Sequence, residues 1–177
     1  MFPVDVLVSE HVLIIRVINL IRKETEQIAK TQTIQPNTIT QYIGFLRIYA
    51  DKYHHGKEEG ILFRELSQKK LNEADKKLMF ELMMEHAIAR KTVSGLEKAK
   101  DSYVEGKTEV LPDLLQLLNT LIDLYPRHIE KEDKQLFYQS MKYFTQEEQD
   151  DLLKRSMLFD QNFTNKYYTQ VVDLLEK

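Results

Sequence analysis

Cysteine and tryptophan are missing from the 177 residues, and glycine (5) and proline (4) are scarce. Without cysteine there is no disulfide, no thiolate-bound zinc, no iron–sulfur cluster and no thiol nucleophile. With few turn-forming residues and little strand-like alternation, long helices are the expected elements. No apolar run approaches the roughly 18 residues of a membrane-spanning helix. The opening Met1-Phe2-Pro3-Val4-Asp5 lacks the basic-then-apolar pattern of a signal peptide. A soluble, cytoplasmic chain with no membrane partner is therefore expected. Charge of one sign is also missing: 25 basic residues face 28 acidic ones, a net −3, and no basic cluster interleaves with aromatics, so nucleic acid is not an expected partner.

What is present is helical periodicity. An apolar face of Val4, Leu7, His11, Ile14, Ile18, Ile21 and Ile28 predicts a first helix over about residues 4–30. The segment 31–37, with Pro36, is expected to break it, and Thr38 with Gln41 reads as a capping box opening a second helix to about Leu66. Its inward stripe is Ile43, Leu46, Ala50, His54, Glu58 and Ile61. Asn72 is a good N-cap for a third helix carrying Met79, Leu82, His86, Ala89 and Val93 and stopping near Gly106. A fourth helix starts near Pro112 with Leu114, Leu118, Leu121, Tyr125, His128, Glu132 and Leu136 on one face, and Pro126 is expected to bend it. Thr145 and Glu148 form a capping box for a final helix to about Leu175. The predicted fold class is all-α: a single domain over residues 1–177, with an up-down-up-down four-helix bundle (about 4–140) and an additional C-terminal helix (about 145–176).

The chain repeats itself. Leu7-Val8-Ser9-Glu10-His11 matches Leu82-Met83-Met84-Glu85-His86, and residues 54–63 match 128–137 as His-x-x-x-Glu-acidic-x-x-Leu-Phe. The separations His11 to His54 and His86 to His128 are 43 and 42 residues, so one helical hairpin is written twice, with histidines at equivalent heights. Residues four apart on a helix differ by about 40° in direction, which puts His54 with Glu58 and His128 with Glu132 on one face each. Both faces are predicted to point inward. Two carboxylates in one core are very costly without cations, and a pair of metal ions between them and the imidazoles removes that cost. Imidazole with carboxylate suits iron, manganese or zinc. Taken singly, each motif has an ordinary reading: a lone core histidine is more often hydrogen-bonded than ligating, and an isolated His-x-x-x-Glu is more often a solvated helix pair. His11, His54, Glu58, His86, His128 and Glu132, in register on four inward stripes, are the candidate metal ligands.

These residues resemble the hemerythrin-like family, the HHE cation-binding domain, through Glu10-His11, His54-His55-Gly56-Lys57-Glu58-Glu59, Glu85-His86 and His128-Ile129-Glu130-Lys131-Glu132-Asp133. The resemblance covers about residues 5–140. It implies a pair of iron ions with a bridging oxo or hydroxo group, Glu58 and Glu132 as bridges, the four histidines as terminal ligands, and dioxygen, peroxide or nitric oxide as the small-molecule partner. Oxygen-carrying members have a further histidine where this chain has Arg90, and an aspartate at the offset of Asp133, which stands as the alternative bridge to Glu132. Two six-coordinate irons offer about 12 positions; four imidazoles, two bridging carboxylates and a bridging oxygen fill about 10. Tyr125 either fills a remaining position, donates a hydrogen bond or simply packs in the core. His55, about 100° from His54, is expected to be exposed or behind a ligand. Glu10 and Glu85 are expected to orient imidazoles or to be solvated, and Arg90 to pair with a carboxylate near the site or to reach solvent. No Ser-His-Asp set or glycine-rich phosphate loop offers a competing chemistry. A non-catalytic, metal-responsive regulatory module is the alternative function, with the tail of the third helix and the last helix as its contact surface.

Overall fold

The computed structural model describes residues 1–161 and 165–176, and among these every regular element is helical. Helix α1 spans Val4–Thr31 and closes on Gln32, whose left-handed backbone (φ 57°) lets its N–H reach the Ile28 carbonyl. Helix α2 (residues 36–66) is a composite of an α-helical stretch, Pro36–Phe45, two π-helical stretches, Leu46–His55 and Glu58–Phe63, and a last turn, Arg64–Leu66. It starts on Pro36, with no side-chain cap, so the expected Thr38 capping box does not form: proline's fixed φ suits a first helical turn better than a break.

Helix α3, Glu73–Val104, is capped by the Asn72 side chain, which accepts from the Asp75 N–H. Helix α4 (residues 111–140) comprises Leu111–Lys131, a π-helical Glu132–Leu136 and Phe137–Ser140, and runs through Pro126. Helix α5, Gln146–Asp160, opens with the expected Thr145–Glu148 capping box, and α6 is Asn165–Leu175. The single last helix expected from about 145 to 175 is thus two helices, and residues 162–164, where it would be continuous, lie outside the described residues.

Helix α1 packs on α2, α4 and α6, α2 on α3, and α3 on α4, while α5 lies against the second π-helical stretch of α2. Two apolar clusters form the core. One gathers Ile14, Ile18, Tyr49, Leu96, Leu118 and Leu121, the other Val4, Leu7, Leu66, Leu82, Leu136 and Phe137. Each long helix passes from one cluster to the other, in alternating order along the chain. A buried polar layer separates the clusters: Glu10, His11, His54, His55, Lys57, Glu58, His86, His128 and Glu132. No described helix is long and apolar enough to cross a membrane.

Candidate metal centre

All six candidate ligands fall in this layer, each with no more than 4% of its surface exposed. The inward ring nitrogens meet in pairs: His11 Nε2 lies 2.9 Å from His54 Nε2, and His86 Nε2 lies 3.1 Å from His128 Nε2. Each glutamate reaches from one pair to the other. Glu58 approaches His54 Nε2 at 3.0 Å with one oxygen and His86 Nε2 at 3.3 Å with the other. Glu132 does the same to His128 (3.2 Å) and His11 (3.3 Å). Two π-helical stretches begin at the ligands Glu58 and Glu132, and the other ends at His55, next to the ligand His54. Such widened turns recur at functional sites because they re-aim side chains along a helix.

The outward ring nitrogens are held in a closed cycle. Glu10 on α1 accepts from His54 Nδ1 on α2 at 2.8 Å. Glu59 on α2 accepts from His86 Nδ1 on α3 at 2.7 Å. Glu85 on α3 accepts from His128 Nδ1 on α4 at 3.0 Å, and Asp133 on α4 accepts from His11 Nδ1 on α1 at 2.8 Å. The aromatic residues of the repeat follow the same order: Phe63 stacks on His86 and Phe137 on His11. Glu10 and Glu85 therefore orient imidazoles as expected, although each serves the histidine of the next helix rather than its own neighbour. Asp133 faces the outer nitrogen of His11, while Glu132 occupies the inner layer.

This cycle decides the tautomers. A neutral imidazole has one N–H, and with Nδ1 donating to a carboxylate, Nε2 carries a lone pair. Four such lone pairs then face each other and two carboxylates. None of the four oxygens of Glu58 and Glu132 has a hydrogen-bond partner. Such a cluster needs positive charge. Without metal, that charge comes from protons: burial pulls His54 down, but Glu58 and Glu10 outweigh it and hold the imidazole up at about 10. Burial likewise opposes protonation of His86 and His128, yet Glu132, Glu58 and Glu59 raise the first to about 11, and Glu132 with Glu85 the second to about 9. Burial pushes Glu58 and Glu132 up, and at Glu58 the charge of Glu132 adds to it, but the histidines win and keep both ionised well below the ordinary range. Two donor groups are close enough to hold cations: His11, His54, Glu58 and Glu132, and His55, Glu58, His86 and His128. The residues fit a pair of cations of the iron, manganese or zinc type.

Three further side chains border the ligands. His55 is buried with its ring 3.8 Å from that of His86, so of the two expected places, exposed or behind a ligand, it takes the second. The physical reason is that α2 is covered on several sides, and a π-helical turn advances each residue by less than an α-helical one. Lys57 is buried too, paired with Glu10 and, at 2.7 Å, with Asp160 of α5, its ammonium 3.9 Å over the Tyr53 ring. Its repeat counterpart Lys131 pairs with Glu85 and Glu81. The shared His-x-x-Lys-Glu-acidic pattern at 54–59 and 128–133 is the signal that marks both lysines and the outer carboxylates. Arg90 pairs with Asp51 (2.7 Å) and Glu59 (2.8 Å), bracing the carboxylate that holds His86.

The family model described as the hemerythrin HHE cation binding domain matches residues 3–139. Comparison with curated proteins and with solved structures gave no match.

Proposed function

The chain belongs to the hemerythrin HHE cation-binding family, and on that premise we propose that it holds a pair of iron ions and uses them to bind, sense or turn over dioxygen, peroxide or nitric oxide. The single observation carrying this reading is the pair of carboxylates, Glu58 and Glu132, each spanning two histidine pairs with all four oxygens unpartnered. His11 and His54 would hold one ion, His86 and His128 the other, and Glu58 and Glu132 would be shared between them. The alternating passage of α1–α4 between the two apolar clusters supports an up-down-up-down bundle around this layer.

When bound, the ions supply redox-active centres at which a small oxidant can be held. The chain's own part is to present four Nε2 lone pairs, fixed by Glu10, Glu59, Glu85 and Asp133, and to exclude bulk water with the apolar clusters above and below. Iron content of protein produced without added metal, with its optical spectrum in air, tests the reading. We expect about two irons per chain, and loss of at least one in His54→Ala or His128→Ala. Unchanged stoichiometry in both variants would overturn it.

A second reading is favoured by one observation: Asp160, beyond the matched segment, ties α5 to His54 through Lys57 and Glu10. A module whose C-terminal helices respond to metal loading would use this link. Rapid turnover on mixing the reduced protein with peroxide supports the first reading, and metal-dependent melting without turnover the second.

A further inference from the structure

A cavity of about 90 Å³ opens between α2, α3 and α4. Its lining grades inward. Arg47, Asp51 and Arg90 are partly exposed, whereas His55, Ala89 and Tyr125 at the other end are buried. The same three buried residues border a narrow space against His86 and His128, so the cavity adjoins that histidine pair.

The charges around its outer part are matched: Arg47 pairs with Glu97, and Arg90 with Asp51 and Glu59. That leaves no excess charge to draw in an anion. The inner part is apolar except for Tyr125 and His55. His55 Nδ1 is buried and has no hydrogen-bond partner, its nearest carboxylate oxygen being Asp51 Oδ1 at 3.5 Å. An orphaned ring nitrogen in the core costs stability unless something else uses it. The ring stacks on His86 at 3.8 Å and 15°, and one of its nitrogens lies within 4.8 Å of a donor atom of each of Glu58, His86 and His128.

Resting on the functional reading above, we propose that the small molecule reaches the site through this cavity, on the His86 and His128 side only, and that the His55 imidazole is its hydrogen-bonding partner there. The ligand class is a small uncharged molecule with an acceptor atom, such as nitric oxide, dioxygen or hydrogen peroxide. The volume accommodates a few molecules of this size. His55 thereby supplies, from α2, an imidazole beside the site that the Arg90 position on α3 does not.

The test mixes the iron-loaded, reduced protein with nitric oxide by stopped flow, alongside Ala89→Leu, His55→Phe and His55→Gln, with iron content measured for each. Ala89→Leu narrows the cavity and is expected to slow association on the order of tenfold. His55→Phe keeps the stacking but removes the hydrogen bond, and is expected to weaken binding about tenfold and shift the N–O stretching frequency, with partial rescue in His55→Gln. Xenon-pressurised crystals of the metal-free protein should show xenon in the cavity of the unsubstituted chain and none in Ala89→Leu. Loss of iron in His55→Phe would make His55 a ligand and overturn the proposal, as would nitric oxide kinetics within about twofold of the unsubstituted chain in both Ala89→Leu and His55→Phe. If the unsubstituted, iron-loaded chain takes up no nitric oxide, the functional reading itself falls, and the cavity proposal with it.

Discussion

The two hairpins of the repeat carry the same chemistry in different surroundings. In the first, Lys57 is 1% exposed and its partner Glu10 is fully buried, with α5 closing over them through Asp160. In the second, Lys131 is 23% exposed, Glu85 is 15% exposed, and the outermost partner Glu81 lies half in solvent. The position after the first ligand also differs: His55 in one hairpin is Ile129 in the other. Duplicated sequence therefore does not mean duplicated energetics. A carboxylate–lysine pair away from water depends wholly on its partner, whereas one at the surface can fall back on hydration.

The largest expected effect treats the halves alike and tests what they share. In metal-free protein the histidines of both pairs are raised above their ordinary value of 6.5, to about 10 for His54, 11 for His86 and 9 for His128. A raised folded-state value stabilises fully below the unfolded one and is lost as pH rises through the folded one. The melting temperature of metal-free protein should thus fall as pH rises from about 6.5 to about 11, most steeply below about pH 9, while metal-loaded protein, whose charge comes from the ions, stays nearly level. Parallel curves with and without metal would break the claim that protons substitute for cations.

The next effect separates the halves. Lys57→Ala leaves Glu10 buried with only the His54 ring N–H as partner, at a cost of about 3 kcal/mol. Lys131→Ala at the more exposed site costs about 0–1 kcal/mol. At roughly 2–4 °C per kcal/mol for a chain of this size, thermal melts of the loaded protein distinguish the two easily. Equal shifts would show that burial does not set the difference. The smallest effect concerns the outer links. Asp160→Asn should cost about 1.5 kcal/mol, the low end for a charge-assisted hydrogen bond, and Glu81→Gln less than about 0.5 kcal/mol. A null result at Asp160 would detach α5 from the site.

Much of this was legible along the chain. The stripe Leu114, Leu118, Leu121, Tyr125, His128, Glu132, Leu136 is buried throughout, because a 3.6-residue period states which face turns inward whatever it meets there. Asp133 shows where such reading stops. One residue from Glu132, at the start of a π-helical stretch, its direction depends on a turn width that no residue type announces. His55, at the end of another such stretch, depends on the same thing, and the structure places it behind a ligand rather than in solvent. Lys57, a charged residue, reads as surface until α5 is seen to cover it.

By itself the sequence determined the helical class, the two equivalent hairpins and the six inward donors, since helical period and the cost of burying unneutralised carboxylates act at each position regardless of neighbours far away. Only the tertiary structure decided which carboxylate holds which imidazole, pairs as distant as His11 and Asp133, 122 residues apart. It also decided that α5 covers Lys57 beside one half of the layer and that a cavity adjoins the other. Those outcomes depend on how helices meet, and contacts between helices are set by packing geometry that a linear pattern does not contain.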